Sequence, residues 1–386
     1  MSAPSTNVKE ILQPSPLEDD RRLQGHIQKR LAAEPQDFAL DLEFDAAPGI
    51  TILFGASGAG KTTLLDCIAG LSTPDAGLIS VANHVLFDSS SQIDVPVRHR
   101  RIGYVLQSLA LFPHMNVRQN VDYGLPHLPA SERRQRTGAI LEAFHISHLS
   151  GRNAREISGG EAQRVALART LVTDPDVLLL DEPLAALDAA TKSKIIEDLR
   201  EWNRTHRIPI LYVTHSREEV FALGERALVL EAGRIIAAGT PHEVLSAPQI
   251  ETVAQLAGFE NIFDAFVETV SVERGTMTCH IAGDRGGILL ETPLVRGGVG
   301  SKLRVGIRAG DILLATSRPV GLSARNIVPG RLASLEQRDV IVSARIDCGV
   351  EMEVHLTLAA RDSLQLSAGR DVWLVIKTHS CHLMGR

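Results

Sequence analysis

Residues 54–63 read FGASGAGKTT and place three glycines, a lysine and two threonines in ten positions. Gly55, four further residues, then Gly60, Lys61 and Thr62 is the spacing of a phosphate-cradling loop, in which backbone N–H groups and a helix N-terminus meet an anion. Glycine keeps side chains out of the way, Lys61 reaches the terminal phosphates, and the Thr62 hydroxyl reaches an accompanying Mg²⁺. The flanks supply the required order: GITILF before the loop reads as a buried strand, and residues 63–69 read as a helix. An ordinary Gly-rich turn is the alternative, and it explains neither the lysine nor the flanks.

The chain of 386 residues is long enough for two or three domains, and 44% hydrophobic residues give ample core. A formal charge of −6 argues against a nucleic-acid partner, which selects for a basic face. No apolar run approaches the ~18 residues of a membrane span and no signal-like segment opens the chain, so a soluble, cytosolic protein is expected. The four cysteines, Cys67, Cys279, Cys348 and Cys381, are too scattered to suggest zinc or a disulfide framework. Residues 1–24 are polar and Pro-bearing, and a loose tail is expected there. From 25 to 258, short apolar runs such as 177–180 and 210–213 alternate with helical stretches such as 165–172 and 194–202, as in a sheet whose parallel strands are buried on both faces. From 259 to 386 the texture becomes short alternating segments (263–272, 303–307, 340–346, 352–358, 372–376), which predicts a small-barrel all-β domain. The Arg-Gly-Gly triplets at 285–287 and 296–298 read as hairpin turns. No internal repeat is visible.

Three further segments converge on the loop. Val177 to Asp181 and Glu182 is an apolar run ending in two carboxylates, and open α/β sheets gather ligands at the carboxyl ends of their strands. Asp181 suits Mg²⁺, and Glu182 suits polarising an attacking water; an acidic strand-end cap is the plainer reading. Leu211 to Thr214 and His215 end another apolar run at the same edge, where a histidine beside the γ-phosphate suits a sensor or positioning role. In residues 157–170, ISGGEAQRVALART, Ser158 and Glu161 form a capping box. The box leaves Gly159 and Gly160 unexplained, since two glycines in a first turn are costly unless something approaches the amides closely. A serine-capped, bare helix start is a second anion site.

At this density of motifs the chain resembles the ATP-binding cassette ATPases over roughly residues 25–245. Gln107 in RRIGYVLQ matches the glutamine that links Mg²⁺ to the transmembrane partner. SGGE matches the signature, Asp181–Glu182 the strand-end pair, Ala186-Leu187-Asp188 the segment after it, and His215 the switch histidine. Ile157 and Ala162 depart mildly from the usual signature. The resemblance implies that Gly55, Ala56, Ser57, Gly58, Ala59, Gly60, Lys61, Thr62 and Thr63 cradle ATP. It implies that Thr62, Gln107 and Asp181 serve Mg²⁺, and that Glu182, His215 and Gln107 act in hydrolysis. It also implies that Ser158, Gly159 and Gly160 close on nucleotide held by a second copy, so a homodimer is expected. Segment 108–172 becomes an inserted helical subdomain that receives a permease helix, with Leu111, Phe112, Pro113, His114 and Met115 as lining; core-plugging residues are the alternative. Phe38 or Phe44 is expected to stack on adenine. A long coiled coil before the signature, as in DNA-repair cassettes, is absent.

The β extension is similar to the molybdate-type oligomerising domain of importer ATPases, through Ser-Ala-Arg-Asn at 323–326 and the closing VWLVIKTHSCHLM. The similarity implies an oxyanion site of Ser323, Arg325, Asn326, Lys377 and Ser380, whose charge and hydroxyl donors suit a tetrahedral dianion. A structural turn with a surface ion pair is the other reading. The implied whole is the ATPase of a molybdate importer, working with a permease and indirectly a solute-binding protein, peripheral on the cytoplasmic face of the inner membrane. Sulfate, metal or sugar import, or a non-transport cassette, remain the alternatives.

Overall fold

The computed structural model describes residues 21–31, 38–246, 248–283, 286–295 and 297–384. These fall into two compact units that divide between Val244 and Leu245. The stretch 245–258 therefore goes with the second unit, and the reason is visible: Glu251 pairs with Arg304, and Arg308 donates to the Leu245 carbonyl at 3.1 Å. The expected loose tail largely lies outside the described residues, but its last two positions, Leu23 and Gln24, already belong to a strand. Arg285 and Arg296 also lie outside the described residues.

The first unit has two sheets. One is antiparallel, in the order β2-β1-β4-β5-β6, from β1 (Leu23–Leu31), β2 (Phe38–Ala46), β4 (Ala76–Val81), β5 (His84–Asp88) and β6 (Ile93–Asp94). The other runs β11-β10-β3-β9-β8-β7, from β3 (Gly49–Phe54), β7 (Ile102–Val105), β8 (Val177–Asp181), β9 (Pro209–Val213), β10 (Arg226–Glu231) and β11 (Arg234–Gly239). All its pairs are parallel except β10 with β11. Sequence pattern separates the two kinds of sheet. Every residue of β3, β8 and β9 is buried, as a parallel strand covered on both faces requires. In β2 the buried positions Leu40, Leu42, Phe44 and Ala46 alternate with wetter ones, the mark of a one-sided antiparallel strand. One core joins the inner faces, and each fully buried Leu, Ile or Phe in it contributes about 1.5–3 kcal/mol.

Helix α1 (Lys61–Ala69) follows β3 directly. Between β7 and β8 stand α2 (Val117–Asp122), α3 (Ala130–Ala143) and α4 (Gly159–Leu171). α5 (Ala189–His206) buries Ile195, Leu199 and Trp202, spaced four and three apart as on one helical face, and α6 (Arg217–Leu223) precedes β10. In this order the carboxyl ends of β3, β7, β8 and β9 deliver the phosphate loop, Gln107, Asp181–Glu182 and Thr214–His215 to one edge.

The second unit contains α7 (Glu251–Leu256), the strands β12 (Asn261–Ser271), β13 (Thr276–Ile281), β14 (Ile288–Pro293), β15 (Lys302–Ile307) and β16 (Leu313–Ala315), then β17 (Asn326–Arg338), β18 (Ile341–Asp347), β19 (Glu351–Thr357), α8 (Leu358–Ser363), β20 (Asp371–Ile376) and β21 (His382–Met384). Two antiparallel five-stranded sheets, β14-β13-β12-β15-β21 and β16-β20-β17-β18-β19, share one core. The two orders are the same pattern used twice, with the last short strand of each half given to the other half's sheet. Two asparagines at matching places sew the halves together. Asn261 bonds the backbone N–H and carbonyl of Glu353 at 2.7 and 2.8 Å, and Asn326 those of Glu291 at 2.7 and 2.9 Å. This overturns the expectation of no repeat; what the halves share is strand order and the two asparagines.

Candidate functional site

A cavity of about 450 Å³ opens at the carboxyl edge of the parallel strands. Leu31, Phe38, Ser57, Gly58, Gly60, Lys61, Thr62, Thr63, Gln107, Asp181 and Glu182 line it, so the phosphate loop, the strand-end carboxylates and Gln107 are brought together as expected. Phe38 lies on the cavity wall, whereas Phe44 is 1% exposed within the core. Leu31 is a lining residue that sequence reasoning missed, because an apolar strand end carries no signal of its own.

The loop's glycines have three different causes. A Cβ on Gly55 would sit 2.3 Å from the Leu230 carbonyl, so β10 crowds that position. At Gly60, φ is +102° and a Cβ would meet the Phe38 ring at 2.7 Å and Leu40 at 2.8 Å. Only around Gly58 is the space open to a ligand. Gly60 caps α1 without a side-chain bond, which leaves first-turn N–H groups directed at the cavity edge. Ala56 and Ser57 are exposed on the rim, and Ala59 is buried beneath it.

Electrostatics are concentrated here. The Lys61 ammonium donates to the Gly55 and Ala56 carbonyls at 2.9 and 2.8 Å. Burial pulls its pKa below the usual lysine value, opposed by Glu182 and Asp181. Burial pushes Asp181 up, while the Thr62 hydroxyl, donating at 2.9 Å, pulls it down and Glu182 pushes it up again. Such a carboxylate gains from a cation at its open side. Oxygen donors from Thr62, Asp181 and Gln107 match what Mg²⁺ takes. Among the described residues no three His, Cys, Asp or Glu side chains cluster as metal ligands, so water and phosphate oxygens would complete its shell. Glu182 has φ +45°, an uncommon conformation for a residue with a side chain, and its N–H is tied to the Val213 carbonyl at 3.1 Å. His215 Nδ1 lies 3.3 Å from its carboxylate.

Ser158, Gly159 and Gly160 do not line this cavity. Ser158 caps α4 in a capping box with Glu161. The space at Gly160 is taken by the Thr191 methyl of α5, 2.4 Å from where a Cβ would lie, so packing within the chain already requires a glycine there. Of the five residues expected in the helical segment's groove, none is fully buried: Leu111, Phe112 and Met115 are half-buried, Pro113 and His114 exposed. They are therefore not a core plug. Asn120 holds this segment through the Phe112 N–H and carbonyl, and Arg169 donates to the Leu109 and Ala110 carbonyls.

In the second unit, Arg325 pairs with Glu291 at 3.6 Å, and the Thr378 hydroxyl also donates to Glu291 at 3.2 Å. Asn326 is 4% exposed and its amide is spent on the Glu291 backbone, so it is a fastener here and not a free anion donor. Ser323, Lys377 and Ser380 stand on the flanking turns.

Residues 40–185 match the ABC transporter family model, and 322–383 match the TOBE domain. A molybdenum import ATP-binding protein of Rhizobium meliloti is 39% identical over 92% of this chain and 98% of its own length. The chain belongs to the ATP-binding proteins of ABC transporters. It is an ATP-binding cassette ATPase followed by a TOBE-bearing all-β unit. Another molybdenum import ATP-binding protein, from Paramagnetospirillum magneticum, is 38% identical over 88% of this chain and 93% of its own. A molybdate/tungstate import ATP-binding protein of Pyrococcus horikoshii is 33% identical over 92% and 98%. Among solved structures, a bacterial ABC transporter cassette described as dimeric is 26% identical, with a TM-score of 0.50 over 57% of this chain and 98% of that one. A Clostridium perfringens cassette, part of the ABC transporter complex cbiONQ, is 30% identical, with a TM-score of 0.52 over 59% and 92%. No helix among the described residues is long and apolar enough to cross a membrane.

Proposed function

We propose that this ATPase powers molybdate import through a permease, as a homodimer peripheral to the cytoplasmic face of the inner membrane. The observation that carries the solute is the end-to-end similarity to molybdenum import proteins, cassette and β unit alike. The cavity supports the division of labour among residues. The loop amides and Lys61 bind the phosphates, Phe38 stacks on the base, and Thr62, Asp181 and Gln107 hold Mg²⁺. Bound there, Mg²⁺ would supply neutralisation of the phosphate charge. Glu182 orients and deprotonates the attacking water, and His215, within reach of that carboxylate, positions the γ-phosphate. Ser158 and the amides of Gly159 and Gly160 act on nucleotide held by the partner copy, which fits their place outside the chain's own cavity. The half-exposed segment 111–115 suits a permease helix. Arg325, Lys377, Ser323 and Ser380 offer an oxyanion of the transported class a regulatory site in the β unit; Arg325 would have to leave Glu291.

Accumulation of labelled molybdate by cells lacking this chain tests the solute. Uptake should collapse and return with the intact gene but not with a Glu182→Gln copy. Undiminished molybdate uptake together with lost sulfate or tungstate uptake would reassign the cargo.

A further inference from the structure

The loop that carries His215 is anchored by a buried carboxylate. Glu219, 3% exposed, lies one helical turn beyond His215 in α6. Its Oε2 accepts from the Tyr212 hydroxyl of β9 at 2.9 Å and from the Thr214 hydroxyl at 2.8 Å, and its Oε1 accepts from the Lys192 ammonium of α5 at 3.1 Å. The Thr214 hydroxyl oxygen accepts from the Ser216 N–H at 2.9 Å. Both neighbours of His215 are thus fixed by one carboxylate, on which a strand, a loop and a helix meet.

The other end of this arrangement is the signature. Lys192 follows Thr191, whose methyl fills the space at Gly160 and whose N–H and hydroxyl bond Asp188 at 3.0 and 2.7 Å. Two turns further on, Asp198 of α5 pairs with Arg164 of α4 at 3.1 Å. α5 therefore grips the signature helix on one side and the histidine loop on the other. Glu219 is buried and Lys192 only partly so, and a buried carboxylate with three donors around it has few alternative geometries, because it is strongly penalised when a charged partner is removed.

We infer that Lys192 and Glu219 are positioning residues, whose ion pair, buried at its Glu219 end, makes α5 a strut between the signature helix and the His215 loop and so sets where His215 stands beside Glu182. The inference rests on the role proposed for His215. Neither residue lines the nucleotide cavity, so the effect belongs on kcat and not on ATP binding.

Steady-state ATPase kinetics and ATP affinity of the full chain, with any permease needed for turnover, test this on Lys192→Met, Lys192→Arg, His215→Ala and the double variant Lys192→Met/His215→Ala. Lys192→Met should lower kcat about ten- to a hundredfold, the scale of a small misplacement near the reacting atoms, with ATP affinity unchanged. Lys192→Arg should restore most of the rate. In the His215→Ala background Lys192→Met should add little, since both act through one group. A native kcat in Lys192→Met, a loss accompanied by weakened ATP binding, no rescue by arginine, or multiplying effects in the double variant would each overturn the strut. A native kcat in His215→Ala instead removes the role of His215 itself, which the single variant reveals independently of Lys192.

Discussion

Glu182 and Lys61 face the same cavity and are predicted to fail differently. Glu182→Gln should lower phosphate release by about 10²–10⁴, the range of a lost general base, while ATP still binds. Lys61→Ala should weaken ATP binding, measured by equilibrium titration, because a buried cation beside the loop is removed. Gly60→Ala is a test of the structure rather than of the motif. The left-handed φ costs about 1–2 kcal/mol by itself, and contact with Phe38 and Leu40 adds to it, so both thermal stability and ATP affinity should drop. The lysine and its spacing were legible in the sequence. That Gly60 is demanded by Phe38 and Gly55 by the Leu230 carbonyl was not, since both neighbours come from other strands.

At the scale of elements, α4 and α5 meet through Gly160 and Thr191. Gly160→Ala should destabilise the protein, and Thr191→Ser, which removes the offending methyl but keeps the hydroxyl on Asp188, should recover much of the loss in a melting experiment. Full additivity of the two changes would show that the contact does not matter. Ser158→Ala should cost about 1 kcal/mol as a lost N-cap, and a larger drop in turnover than in stability is expected if the serine also serves the partner's nucleotide. Helix starts and buried strands were readable from capping patterns and apolar runs. The role of Glu219 was hidden: an acid in a first helical turn already has an ordinary explanation, and only folding sets Tyr212, Thr214 and Lys192 around it.

At the scale of the molecule, the second unit should show its own pH response. Burial holds His382 below the usual histidine value, Arg308 adds to this, and a hydrogen bond to the Pro248 backbone works against it. The unfolded histidine titrates near ~6.5, so the unfolded chain binds the proton first. Stability is full above that pH and falls as pH drops through it toward the lower native value. Thermal melts between pH 8 and 5 should show this decline blunted in His382→Asn; an identical slope in both proteins would remove His382 as its source. Size-exclusion of Glu182→Gln with ATP and Mg²⁺ should give a dimer, and a strictly monomeric elution would refute the shared-nucleotide arrangement.

The duplicated strand order of the second unit escaped sequence reading because its two halves match in pairing and in two buried asparagines rather than in runs of identical residues. By itself the sequence determined the nucleotide loop, the strand-end acids, the capped signature helix and the change from α/β to all-β texture. Each of these is written in neighbouring residues, whose spacing and propensity act locally. Only the tertiary structure decided that Phe38 and not Phe44 faces the cavity, that Asn326 is spent as a fastener, and that one carboxylate ties the histidine loop to α5. Those outcomes depend on which side chains are brought together across tens of residues, and burial and hydrogen-bond satisfaction select among partners only once the chain has closed on itself.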